Sequence, residues 1–100
     1  MSNLYISEYA DVGHLPGLIP AGAEPNINDQ VVNFAGASTQ SATLKNNTQI
    51  VRIHPDAICS ISFGTNPTAT VTNKRLVAGQ TEYFTIGAYS NLKVAVIGNT

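Results

Sequence analysis

Charge is what this chain has least of. Asp, Glu, Lys and Arg make up 11% of its 100 residues, against about 25% in an ordinary soluble domain. The formal net charge is −1, too small for a field that steers nucleic acid. The five basic residues, Lys45, Arg52, Lys74, Arg75 and Lys93, are scattered, which excludes a basic groove along a phosphate backbone. Cysteine is nearly absent: Cys59 stands alone, so no intrachain disulfide can form. No apolar run approaches the ~20 residues that cross a bilayer as a helix. The start, MSNLYISEYADVG, lacks a basic stretch followed by an apolar core, so a secretory signal is not expected. The expected location is the interior of the producing cell, or a particle assembled there.

The motifs that carry common enzyme chemistry are missing too. There is no GxxxxGK[ST] and no GxGxxG to cradle phosphates. His14 and His54 stand forty residues apart in the chain, and Asp11, Asp29 and Asp56 form no calcium loop, so no metal or other cofactor is expected. The aromatics Tyr5, Tyr9, Phe34, Phe63, Tyr83, Phe84 and Tyr89 are not interleaved with basic residues as nucleic-acid platforms require.

What is there instead is uncharged polarity. Thr, Asn, Ser and Gln account for 31 residues, and 43% of the chain is hydrophobic. Thr suits strands, while Asn and Ser suit turns. A weakly charged surface of this kind accepts close protein contact at little desolvation cost, which points to a packed assembly. One hundred residues make one domain, able to bury roughly two-thirds of its unfolded surface.

Alternation gives the elements. Leu4 to Tyr9 reads as a first strand. Val31 to Phe34 and Thr39 to Leu44 read as two more, around Ala35 to Ser38. Gln49 to His54, Ala57 to Phe63, Thr68 to Thr72, Arg75 to Val77, Glu82 to Ile86 and Lys93 to Ile97 follow, with turn chemistry between them. Cys59, Ile61 and Phe63 occupy one face of their strand, with Ser60 and Ser62 on the other. Strands at roughly 8–12-residue spacing predict an all-β antiparallel sandwich or barrel. The segment GHLPGLIPAGAEPNIND differs. Pro16, Pro20 and Pro25 remove amide donors and fix φ, so it is expected to be extended and irregular. Residues 1–30 are therefore read as a first strand plus a proline-rich arm, and residues 31–100 as the sandwich, within a single domain. Leu15, Leu18 and Ile19 need cover, from the domain's own sheet or from a neighbour.

Candidate chemistry is thin. His54, Asp56 and Ser60 suggest a hydrolytic triad, but Pro55-Asp56 reads as a corner whose carboxylate caps its own turn. His54 shares a phase with Arg52, away from Val51 and Ile53, and is expected at the surface. Cys59 shares the apolar phase with Ile61 and Phe63 and is expected in the core. Lys74-Arg75 is read as solvating a hairpin or edge strand. Adjacent Tyr83 and Phe84 must point to opposite faces, one inward and one outward.

From Arg52 onward the text VRIHPDAICSISFGTNPTATVTNKRLVAGQTEYFTIGAYSNLKVAVI resembles small proteins encoded in the structural modules of tailed bacteriophages and prophages. The resemblance rests on Arg52, His54, Ala57, Cys59, Phe63 and Gly64, on Pro67 to Thr70 and Leu76, and on Glu82 to Phe84 and Lys93 to Ile97. It covers about half the chain and carries no catalytic motif. It implies a non-enzymatic virion protein of the head decoration or cement type, with a β-sandwich of jelly-roll character. Its implied partners are the major capsid protein and further copies of itself, as a dimer or trimer. Neither nucleic acid nor membrane is expected as a partner. Its implied place is the capsid surface, after assembly in the host cytoplasm. Under this reading the contact residues are Leu4, Tyr5, Ile6, Leu15, Leu18 and Ile19. The alternative is a tail or fibre module that binds host-surface glycan through Tyr83, Tyr89 and loop asparagines. An enzyme using His54, Asp56 and Cys59 ranks last.

Overall fold

In the computed structural model, residues 2–10, 25–87 and 90–99 are described. They form eight strands: β1 (Ser2–Tyr9), β2 (Asn28–Phe34), β3 (Thr39–Gln40), β4 (Ile50–Pro55), β5 (Cys59–Gly64), β6 (Lys74–Leu76), β7 (Glu82–Thr85) and β8 (Lys93–Gly98). Among the described residues there is no helix, as expected where Thr, Val, Ile, Asn and Gly dominate. The strands make two four-stranded antiparallel sheets, in the orders β2-β1-β4-β7 and β3-β8-β5-β6.

The two sheets share one core, giving a sandwich-like fold. Leu4, Ile6, Val51 and Ile53 of the first sheet meet Cys59, Ile61, Val94 and Val96 of the second. Period-two alternation explains the choice: the register sets Ile6 beside Ile53 and Ile61 beside Val96, so all four face inward together. Phe63 and Phe84 lie with ring centroids 5.2 Å apart, tilted by 57°, an edge-inclined packing favoured by the ring quadrupoles.

The first strand is not an appendage. β1 lies between β2 and β4, with both of its edges paired. The proline-rich stretch from 11 to 24 falls outside the described residues, so Leu15, Leu18 and Ile19 do too.

Two predicted strands come out differently. Of Thr39–Leu44, only β3 keeps a regular ladder. Beyond it the chain still follows β8, through Ser41 N–H to Val94 O (2.7 Å) and Leu44 N–H to Leu92 O (2.8 Å). The Ser41 hydroxyl accepts from the Val94 amide and so interrupts the ladder. Residues 68 to 72 form no strand. Asn73 Oδ1 takes the Thr70 amide at 2.7 Å, and Ser38 Oγ takes the Ala69 amide at 2.9 Å. Short polar side chains here satisfy the backbone in place of a neighbouring strand.

One end of the sandwich closes on a buried carboxylate. Glu8 lies in the same alternation phase as Leu4 and Ile6 and is 0% exposed. Its Oε1 accepts from the Lys45 amide (2.7 Å) and the Thr48 hydroxyl (2.8 Å). Its Oε2 accepts from Asn28 Nδ2 (2.6 Å) and Gln30 Nε2 (3.1 Å). Gln30 in turn accepts from the Ala42 amide at 2.9 Å. The carboxylate thus ties β1, β2 and the segment before β4 together, and no buried side-chain nitrogen or oxygen among the described residues lacks a partner.

Candidate functional site

The residues that suggested a catalytic triad are not brought together. His54 lies on the outer face of the first sheet, its Nδ1 2.7 Å from Thr81 Oγ1. Asp56 does not cap its own turn: its Oδ1 accepts from the Asn3 amide at 2.7 Å, and its own amide donates to Asn3 O at 3.0 Å. The pair extends the β1–β4 contact past the end of the ladder. Ser60 is buried in the second sheet, where its hydroxyl accepts from Asn99 Nδ2 at 2.8 Å.

Cys59 is fully buried in the core. Burial pushes its thiol up to about 11, so almost no thiolate exists at neutral pH. In the folded protein Cys59 should not react with a thiol reagent at pH 8 over minutes, and it should react fully in denaturant. Rapid native labelling would contradict its burial.

Of the expected contact residues, Leu4 and Ile6 are 0% and 1% exposed and belong to the domain's own core, whereas Tyr5 is 42% exposed. A strand inside a sheet presents alternate residues to opposite faces, so a run of three cannot share one surface. Tyr83 and Phe84 divide as alternation requires: Tyr83 faces out, and Phe84 packs on the core. Tyr89 lies outside the described residues. Lys74 and Arg75 are exposed on β6, an edge strand of the second sheet.

The exposed large side chains are not spread evenly. Of the five among the described residues, Tyr5, Val31 (58% exposed) and Tyr83 (36%) stand on the outer face of the first sheet, while Val71 and Val77 lie in the turns on either side of β6. The register builds two rows across it. One runs Val31, Tyr5, His54; the next runs Asp29, Ser7, Arg52, Tyr83. Between them lies a depression of about 350 Å³. Sequence reading placed His54 and Arg52 on the surface but not with Tyr5, Asp29 and Val31, since strand order brings them together. A second depression, of about 420 Å³, lies at one end of the sandwich, bordered by Ser2, Phe34, Ala35, Ala57, Gly98 and Asn99.

Among the described residues no cluster of three or more His, Cys, Asp or Glu is placed to hold a metal ion, and no helix is long and apolar enough to cross a membrane. Compared with protein-family models, with curated proteins and with solved structures, the chain matches none.

Proposed function

We propose that this protein is a non-enzymatic virion component of a tailed phage, a decoration or cement protein that binds the head lattice and bridges major capsid subunits. The observation that carries the reading is the nesting of the strand pairs: β5 with β6, β4 with β7, β3 with β8 and β2 with β1. This nesting, with β8 meeting β5 and β1 meeting β4, supports reading the fold as a long antiparallel hairpin rolled into a jelly roll. The outermost strand here comes from the start of the chain instead of following β8. Ser2 and Gly98 border the same depression, so β1 occupies the place that a strand continuing from β8 would take. Jelly rolls serve in capsids and in lectins, and the sequence resemblance from Arg52 onward favours the capsid.

Attachment is assigned to two features. β2 is a seven-residue edge strand free of proline and lysine, the residues that usually blunt an edge. It can add a strand from a neighbouring subunit. The apolar Leu15, Leu18 and Ile19 supply anchors from the proline-rich stretch. Many weak contacts on a repeating lattice then add up to firm attachment.

The test is a protein count on purified particles by quantitative mass spectrometry. A decoration protein should be present on the order of hundreds of copies, in simple ratio to the major capsid protein. Absence from particles, or a handful of copies as in a tail tip, would overturn the reading.

A further inference from the structure

We propose that the outer face of the first sheet is a binding site for an acidic saccharide, a sugar ring carrying a carboxylate. Arg52 is the key. It is half-buried in the middle of the sheet, and its guanidinium has no hydrogen-bond or ion-pair partner among the described residues. A planar fork of donors held in a depression suits a carboxylate, which it binds through two parallel hydrogen bonds.

The surroundings select a sugar. Tyr5 stands at the centre, with Val31 opposite it on β2 and His54 opposite it on β4. An exposed ring flanked by an aliphatic group offers a flat apolar surface for the C–H face of a pyranose. The Thr81 contact to His54 Nδ1 fixes the imidazole and leaves Nε2 available for a hydroxyl. Ser7 lies directly between Asp29 and Arg52 in the next row. With strands about 4.8 Å apart, Asp29 and Arg52 stand about 10 Å apart across the sheet. That span brackets one sugar ring, with hydroxyls toward Asp29 and the carboxylate toward Arg52.

Shape favours a small ligand here. This is a small depression of about 350 Å³, at the lower end of the range for small-ligand pockets. Its lining sets Asp29, Arg52 and the Ser7 hydroxyl around a largely apolar surface that includes Tyr5 and Val31, which suits a sugar ring with its C–H face down and its polar groups at the rim. The backbone beneath it is paired sheet throughout, so the site is formed before the ligand arrives. The site shares β2 with the proposed lattice attachment but uses the outward side chains of Asp29 and Val31, not the backbone edge, so each reading can fail without the other.

The experiment is an NMR titration of the whole chain with glucuronic acid–containing oligosaccharides and with their neutral glucose counterparts. Amide shifts should concentrate at residues 5, 7, 29, 52 and 54, and the acidic sugar should bind at least about tenfold more tightly than the neutral one. Arg52→Gln should abolish that preference, and Tyr5→Ala should weaken both sugars, with Lys74→Gln as the control that changes neither. Amide spectra of each variant confirm folding, and Tyr5→Phe, which keeps the ring, should bind both sugars. No shifts at these residues, equal affinity for the neutral sugar, or an undiminished preference in Arg52→Gln would each overturn the proposal. So would capture of the major capsid protein by this face without any sugar binding.

Discussion

Replacing Glu8 with Ala should destabilise the domain by about 3–5 kcal/mol, because the change strands the buried Thr48 hydroxyl and three part-buried donors at once. The Lys45 amide cannot turn away, and Asn28, Gln30 and Thr48 all point their donors at the missing carboxylate. Each unsatisfied buried donor costs about 1–3 kcal/mol, and partial relaxation lowers the sum. A domain of this size has about 5–15 kcal/mol of stability, so thermal unfolding should fall by on the order of 20 °C. Glu8→Gln should be milder, at about 1–2 kcal/mol. Its oxygen can accept from Lys45 and Thr48, and its amide can donate to Asn28 once that side chain is flipped. Gln30 cannot follow, because its oxygen already accepts from the Ala42 amide. Equal stability of Glu8→Ala and the parent in chemical denaturation would refute this account.

The same residue sets an acid limit. Burial by itself would raise the Glu8 carboxyl. The Lys45 amide and the side chains of Asn28, Gln30 and Thr48 together outweigh that effect and hold it below the ordinary carboxylate range. A carboxyl depressed in the folded state binds protons more readily when unfolded, so acid favours unfolding. Its contribution is fully present above the unfolded value of about 4.3 and disappears as pH falls through the lower folded value. Melting curves between pH 3 and pH 6 should show this loss in the parent and a shallower dependence in Glu8→Gln. Identical pH profiles would mean that Glu8 is not the acid-sensitive group.

Leu4→Ala should cost about 2–5 kcal/mol, the range for a large-to-small change in a closed core. Leu4 is fully buried between β2 and β4, opposite Val32 and Pro55, and β4 is held on its far side by β7 while Val32 and Phe34 of β2 pack in the same core, so the cavity collapses only in part. Tyr5→Ala, one residue along, should cost no more than about 1 kcal/mol, since an exposed sheet side chain contributes mainly its cross-strand contacts. Urea unfolding of the two variants side by side decides whether β1 is core or appendage. If Leu4→Ala proved as mild as Tyr5→Ala, Leu4 would lie at a surface instead.

Most strands were legible because alternation is local. Cys59 and Ile61 declare an inward face within their own segment, and Asn and Gly mark turns without reference to anything distant. Residues 68 to 72 misled for a related reason: Thr-Ala-Thr-Val-Thr alternates like a strand, but Ser38 and Asn73 take its amides, and Ser38 is distant in the chain. Glu8 carried a signal in its parity, since it shares a phase with Leu4 and Ile6. Alternation cannot reveal that β2 and the segment before β4 would supply its donors. The face around Arg52 was legible residue by residue as surface and illegible as a site.

By itself, then, the sequence determined an all-β chain, the approximate strand positions, an inward Cys59 and the lack of a dense charge cluster, because each follows from residue type and period two. Only the tertiary structure decided that β1 joins the first sheet between β2 and β4, that Glu8 is buried, and that Tyr5, Asp29, Arg52 and His54 share one face. Those outcomes depend on which strands pair and in what register. Pairing brings together residues from opposite ends of the chain, and its energy lies in cross-strand contacts and a shared core that no single segment contains.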